Sequence, residues 1–493
     1  MMKVQRMTDM GEMDNGYVAR GVSVLLASQG VRLGSQLVGL IVLSRLLGPE
    51  AFGFAAVAIL IVGIGEVLRD AGLGSAIVRE VHLSRVQRDS LFWVSLALGG
   101  ALAFALLAAA GLIAHLFSMP QLTPALRCLS AVFVANAIAM PYRAMHNRSG
   151  NFNAIAAADA IAAALGLGAA VGTAVLGVGF WALIIQLLVS SGAGLLVLVS
   201  FGRWIPGWYR RGSGIGRILK FGGHLLFSQV VSYLGNRADI VTLGLVGTPT
   251  SLGYYSRAYQ VSVTTVEQVK APTLSVALSA LARRNDQVEQ SRFLLSAQTM
   301  VVMATIPVLA VLAGLAPQVV QIVLGPEWVD AAPLVAILAI GSAFQQAAGT
   351  AAWIMISGGH GPALRNYSLM STTLKVVLVL ALSPLGALGV ACGFTLAVIV
   401  SYPIAILMAR RAGVIPVASL VLQASRTLGV GAIAALAGSI VASQMSAMSA
   451  LPVFIVGALA VVAVFAFAAL VIRGVRRDLV LFFRAIALIV KGK

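Results

Sequence analysis

Long apolar runs, each bounded by a charged or Gly/Pro-rich break, follow one another from residue 18 to residue 473. A helix needs about 20 such residues to cross a hydrocarbon core about 30 Å thick. The runs 18–45, 52–70, 90–117, 125–145, 152–176, 179–201, 217–245, 252–281, 291–324, 331–357, 364–383, 386–409, 419–442 and 450–473 approach or exceed that length. The expected fold class is therefore an all-α polytopic membrane protein with about 14 transmembrane helices. Composition supports this: of 493 residues 59% are hydrophobic and 10% charged, against roughly 45–50% and 25% in soluble domains. No break is long enough for a sizeable soluble domain, which excludes a large catalytic domain on either face.

Charge alternation tests the helix count, because one missed or invented crossing would scramble everything after it. With both termini inside, 26 of the 34 Lys and Arg residues fall in breaks assigned to the cytoplasm, among them Arg69, Arg79, Arg85, Arg88, Arg143, Arg148, Arg210, Arg211, Arg283 and Arg284. Outward breaks hold Arg45, with Arg127 just past another, and the break 325–333 carries Glu327 and Asp330. The net charge of +18 is thus explained by insertion, and no nucleic-acid partner is expected. Met1–Tyr17 reads as a retained tail, since the apolar run after it is too long for a signal-peptide core. Cys128 and Cys392 both lie in apolar runs and suggest neither a disulfide nor a metal site.

A repeat appears at a spacing of about 200 residues. Leu25-Leu26-Ala27-Ser28-Gln29 returns as Leu225-Leu226-Phe227-Ser228-Gln229, and the stretch Leu47-Gly48-Pro49 to Phe52-Gly53-Phe54 returns as Val246-Gly247-Thr248-Pro249 to Leu252-Gly253-Tyr254. The first two crossings thus match the seventh and eighth. An even-numbered repeat gives halves of the same orientation, an arrangement typical of rocking transporters with a central site.

Ionisable residues within apolar spans are costly unless paired or hydrated, so each is a functional candidate. They are Arg32, Glu66, Asp159, Arg237, Asp239, Arg257, Glu267, Lys270 and Lys375. Arg32 lies among Ser28, Ser35 and Gln36 and is expected either to face a cavity or to form an interhelix pair, and Lys375, with no charged neighbour in its own span, needs a partner, a hydrated cavity or an anionic ligand. Asp239 and Arg257, across a short turn, are expected either to clamp each other or to meet a ligand. Glu267 and Lys270 share a helix face at i,i+3 and can neutralise each other. Glu66 and Asp159 lie nearer the inner surface, where loop arginines can pair with them. Five cations against four anions suit an anionic substrate. No metal-ligand spacing, P-loop, G-x-S-x-G or dinucleotide fingerprint occurs, so no cofactor is expected. The stretch 478–490 has an amphipathic pattern and is expected to be an inert cytoplasmic end.

The runs Ser44–Gly53, Asp70–Arg79, Tyr233–Asp239, Leu252–Tyr259 and Leu324–Trp328 resemble the polysaccharide transport (oligosaccharide and O-antigen flippase) family of the multidrug/oligosaccharidyl-lipid/polysaccharide exporter superfamily. The family pattern usually places a proline where this chain has Val276. The resemblance implies two pseudo-symmetric six-helix lobes plus two C-terminal helices: a cytoplasmic tail at 1–17, lobes at 18–201 and 217–409 joined by a cytoplasmic linker at 202–216, helices at 410–473, and a cytoplasmic tail at 474–493. It also implies transfer of undecaprenyl-diphosphate-linked oligosaccharide across the bacterial inner membrane for exopolysaccharide, capsule or O-antigen assembly, alongside polymerase and export proteins. Arg32, Arg257 and Lys375, then Arg237 and Lys270, are the expected diphosphate ligands. Asp239, Glu267, Glu66 and Asp159 are the carboxylates at which a coupling proton or sodium ion would bind, unless they are structural pairs. Two rival functions are a multidrug antiporter of the same superfamily, which calls for an acid-lined apolar pocket, and a membrane glycosyltransferase or polymerase, which calls for a long outward loop with acidic or histidine groups.

Overall fold

The computed structural model describes residues 29–70, 77, 84–202, 204–209, 229–268, 287–357, 360–411 and 417–490. Among them every regular element is helical, and ten stretches are long and apolar enough to cross a membrane. One of the ten, 361–411, is two helices separated by the short 3-10 turn Ser383–Leu385 and by Gly386 at φ +70°. The chain divides into two compact units, 1–237 and 238–493.

The first unit contains α1 (29–46), α2 (Pro49–Asp70), α3 (Arg85–Leu116), α4 (Leu122–Arg148), α5 (Phe152–Val175), α6 (Trp181–Phe201) and α7 (229–236). Helix starts follow from local chemistry. Ser84 and Gln87 form a reciprocal capping box at α3, and Asn151 caps α5 through the Ala154 N–H. Small residues set the closest packing. At Gly99 a Cβ would stand 2.8 Å from the Phe133 carbonyl oxygen, so α3 and α4 meet backbone to backbone.

After α6 the chain is strapped to the start of α3. The Trp204 indole N–H donates to Asp89 at 2.8 Å, the Trp93 indole N–H donates to the Gly207 carbonyl at 2.8 Å, and the Arg88 guanidinium lies 4.6 Å from the centre of the Trp204 ring. Trp93 and Trp208 stack. Indoles with one polar end suit the level where helices leave the hydrocarbon.

The second unit contains α8 (Ala238–Val246), α9 (Pro249–Tyr259), α10 (Gln287–Gly314), α11 (Ala316–Val323), α12 (Ala332–Ser357), α13 (Gly361–Leu382), α14 (Gly386–Arg411), α15 (Val417–Gln444), α16 (Ala450–Val471) and α17 (Arg473–Val490). α9 repeats the start of α2: Pro249, like Pro49, is its first helical residue, Leu252 is as buried as Phe52, and Thr248 with Ser251 makes a capping box. It then runs on through one π-helical turn, Gln260–Thr264. Prolines 141, 307 and 403 lie inside helices, as membrane helices tolerate where neighbours re-satisfy the backbone.

Two expectations are corrected. The run 291–324 is not one helix: α10 ends at Gly314 and α11 begins at Ala316, because Leu315 leaves helical geometry (φ −121°, ψ 27°) and Pro317 brings no N–H to continue the ladder. Nor is the stretch from 474 an inert end. It forms α17, whose Val475 and Asp478 are buried, with Asp478 ion-paired to Arg426 of α15.

Candidate functional site

Each unit carries its own polar constellation within apolar helices. In the first unit, Glu66 near the end of α2 accepts from Arg69 one turn on at 2.6 Å and from the Asn136 amide of α4 at 2.9 Å. Arg143 of α4 pairs with Asp159 of α5. Both pairs line a cavity of about 600 Å³, together with Ser190, Ser191 and Gln229. The arginines that pair with Glu66 and Asp159 stand on helices, Arg69 within α2 and Arg143 within α4, rather than in loops. Among the described lining residues two cations and two carboxylates cancel, and amide and hydroxyl groups complete the wall.

In the second unit, Asp239 at the start of α8 is almost wholly buried (1% exposed), and its Oδ2 accepts from the Tyr255 hydroxyl at 2.7 Å. The donor to this carboxylate is thus Tyr255, two residues before Arg257 on α9. Oδ1 of Asp239 is buried without a hydrogen-bond partner among the described residues. Tyr255, Tyr259 and Phe394 of α14 form a ladder of rings with centroids 6.1 and 5.6 Å apart. At its far end the Lys375 ammonium of α13 lies 5.8 Å from the Phe394 ring centre, a cation–π contact. Arg257, on the same helix as both tyrosines, is half-buried. Asp239, Arg257 and Lys375, singled out separately in the sequence, therefore belong to neighbouring helices of one unit.

The remaining candidates lie elsewhere. Arg32 is exposed on α1, and Arg237 is the half-buried turn residue whose N–H closes α7 on Tyr233 and Leu234. Glu267, exposed beyond the π turn, accepts from the Gln345 amide of α12 at 2.8 Å. Lys270, like Val276, lies outside the described residues. Sequence reasoning missed Asn136, Gln345 and Tyr255. The available signal was an uncharged polar group isolated in an apolar run, which is weaker than a charge. Among the described residues no cluster of His, Cys, Asp and Glu could hold a metal ion.

The family model described as "Polysaccharide biosynthesis protein" matches residues 42–333. The chain belongs to the polysaccharide biosynthesis protein family. Among curated proteins, this family member is 24% identical over 377 residues to the lipopolysaccharide biosynthesis protein WzxC of Escherichia coli (strain K12), covering 75% of this chain and 76% of the other. It is 28% identical over 330 residues to the succinoglycan biosynthesis transport protein ExoT of Rhizobium meliloti (strain 1021), covering 66% of each. Its fold is that of the lipid II flippase MurJ in an inward closed conformation, with a TM-score of 0.70 at 13% identity over 92% of this chain and 100% of that one. A multidrug resistance MATE family transporter of the MOP superfamily, inward-facing, gives 0.58 at 19% identity over 80% and 98%. This polysaccharide biosynthesis protein is thus a multi-pass, all-helical membrane protein with a flippase and exporter fold.

Proposed function

We propose that this protein is a transporter, not an enzyme, and that it carries lipid-linked oligosaccharide, held by a prenyl diphosphate, from the cytoplasmic to the outer leaflet of a bacterial inner membrane with both termini in the cytoplasm. The carrying observation is the family match over residues 42–333, joined to polar groups buried inside membrane-spanning helices of both units. A sugar-diphosphate head group cannot enter hydrocarbon, whereas its prenyl tail can stay in lipid. The protein need only offer a hydrated path and cations along it.

The basic groups proposed for the diphosphate are Arg32, Arg257 and Lys375, with Arg237 and Lys270 behind them. Asp239, Glu267, Glu66 and Asp159 are the proposed sites for a coupling proton or sodium ion. Lys375, half-buried against the ring of Phe394, supports the first role, since it holds a cation among the helices of the second unit. The unpaired Oδ1 of Asp239 supports the second. The mid-span Arg and Lys favour an anionic substrate over a cationic drug.

Moving two negative charges outward across a potential of 100 mV, inside negative, is favourable by about 4–5 kcal/mol, from ~2.3 kcal/mol per charge. In proteoliposomes loaded with a prenyl-diphosphate-linked oligosaccharide, an inside-negative potential is expected to speed appearance of the sugar at the outer face. Arg257→Gln and Lys375→Gln should slow that appearance without lowering the amount of folded protein. Equal rates with and without the wild-type protein would overturn the reading.

A further inference from the structure

The π turn resolves a mismatch between the repeats. At an offset of 200, Glu66 of α2 corresponds to Val266. A π turn holds one residue more than an α-helical turn, so beyond Gln260–Thr264 the offset becomes 201 and Glu66 corresponds to Glu267. The partners then correspond as well. Glu66 accepts an amide N–H from Asn136 of α4, and Glu267 accepts one from Gln345 of α12; these helices hold the fourth and tenth expected crossings, six apart. Three residues after Glu66 stands Arg69, and three after Glu267 stands Lys270.

What the shared set can bind follows from its chemistry. A carboxylate accepts and an amide both donates and accepts, which is the complement of adjacent hydroxyls on a sugar ring. The Glu66 set opens on the cavity of about 600 Å³ walled by Ser190, Ser191 and Gln229, where the charges of the described lining residues balance, and such a lining favours an uncharged polar ligand over an anion. On α12 the amide oxygen of Gln345 is buried without a hydrogen-bond partner among the described residues. Both polar atoms of the neighbouring Gln346, itself 1% exposed, have none among them either. Buried amides of this kind are suited to a polar partner such as a sugar hydroxyl.

We propose that Glu66 with Asn136, and Glu267 with Gln345, are two equivalent subsites for uncharged sugar rings of the transported head group, one in each repeat and separate from the cations that meet the diphosphate. This rests on the transport reading above, and the experiment separates the two. Binding to the purified full-length protein in detergent is measured for bare undecaprenyl diphosphate and for the same lipid bearing one glucose, galactose or N-acetylglucosamine. At least one glycosylated lipid is expected to bind about tenfold more tightly than the bare one, because a site built for hydroxyls rejects a ligand lacking them. Asn136→Ala and Gln345→Ala should each remove most of that gain and leave bare-lipid affinity unchanged, and Asn136→Gln should restore part of it. Should Asn136→Ala also lower the thermal midpoint and bare-lipid binding, Ser191→Ala carries the same test while keeping both partners of Glu66. A gain that survives in the variants, or no gain for any sugar, overturns the subsites. Failure of the wild type to bind even the bare lipid overturns the transport reading instead.

Discussion

Gly99 leaves no room for a side chain, because the atoms facing it, the Ala137 Cβ and the Phe133 carbonyl oxygen of α4, cannot be moved by a rotamer change. Gly99→Val is expected to cost about 1–3 kcal/mol through overpacking; an unchanged thermal midpoint in detergent would contradict the close approach. Asp478 poses the opposite problem, a charge 1% exposed whose neutralising partner is Arg426. Removing Arg426 alone leaves that charge only the exposed Arg477, 3.9 Å away, so Arg426→Leu should lose about 3–5 kcal/mol, whereas adding Asp478→Leu should recover most of the loss. Additive losses in the double variant would show that the pair is not coupled. These two residues also mark what a sequence shows at this scale. For Glu66 only a pairing with loop arginines was expected, although Arg69 stands at i,i+3 on the same helix, a spacing that brings side chains together. Arg426 and Asp478 are separated by 52 positions, and no periodicity connects them. Tyr255 was hidden for a related reason: its spacing from Asp239 across a turn leaves open whether it or Arg257 rotates towards the carboxylate.

Elements were easier to read than their interruptions. Apolar runs between charges located the crossings because charge is what hydrocarbon excludes. Gly314 and Pro317 broke the run 291–324 without any change in polarity, and hydropathy is blind to such a break. α17 was visible as an amphipathic pattern, yet its docking through Val475 and Asp478 depends on the surface that α15 presents. The π turn offers a sharper test of element geometry. Deleting Thr264 removes the additional residue, so an ordinary α-helical turn is expected to replace the π turn while Glu267 keeps its place opposite Gln345. Membrane insertion, helix content by circular dichroism and sugar-lipid transport are all expected to persist in the deletion protein. Loss of transport with insertion intact would show that the π turn does more than absorb one added residue.

For the whole molecule, the basic residues of the chain make a topological claim that can be read chemically. In a background lacking Cys128 and Cys392, single cysteines at Ser213 and Glu289 should resist an impermeant thiol reagent applied outside intact cells, and ones at Glu327 and Ser446 should react. Labelling at Ser213 from outside would break the proposed orientation. The proposed orientation is read from the sequence because the Lys/Arg bias of the breaks acts during insertion. The pairing of polar groups within each unit is decided afterwards by packing, so it is not. The π turn at Gln260–Thr264 also bears on ancestry. If the halves descend from one copied segment, one copy has changed length by a single residue since they parted, and it did so inside a helix rather than in a loop, where such changes ordinarily collect. Any alignment of the halves must open its gap between 259 and 265. A hybrid chain carrying the 49–70 segment in place of its counterpart would therefore keep its downstream register only if its downstream junction lies past that gap.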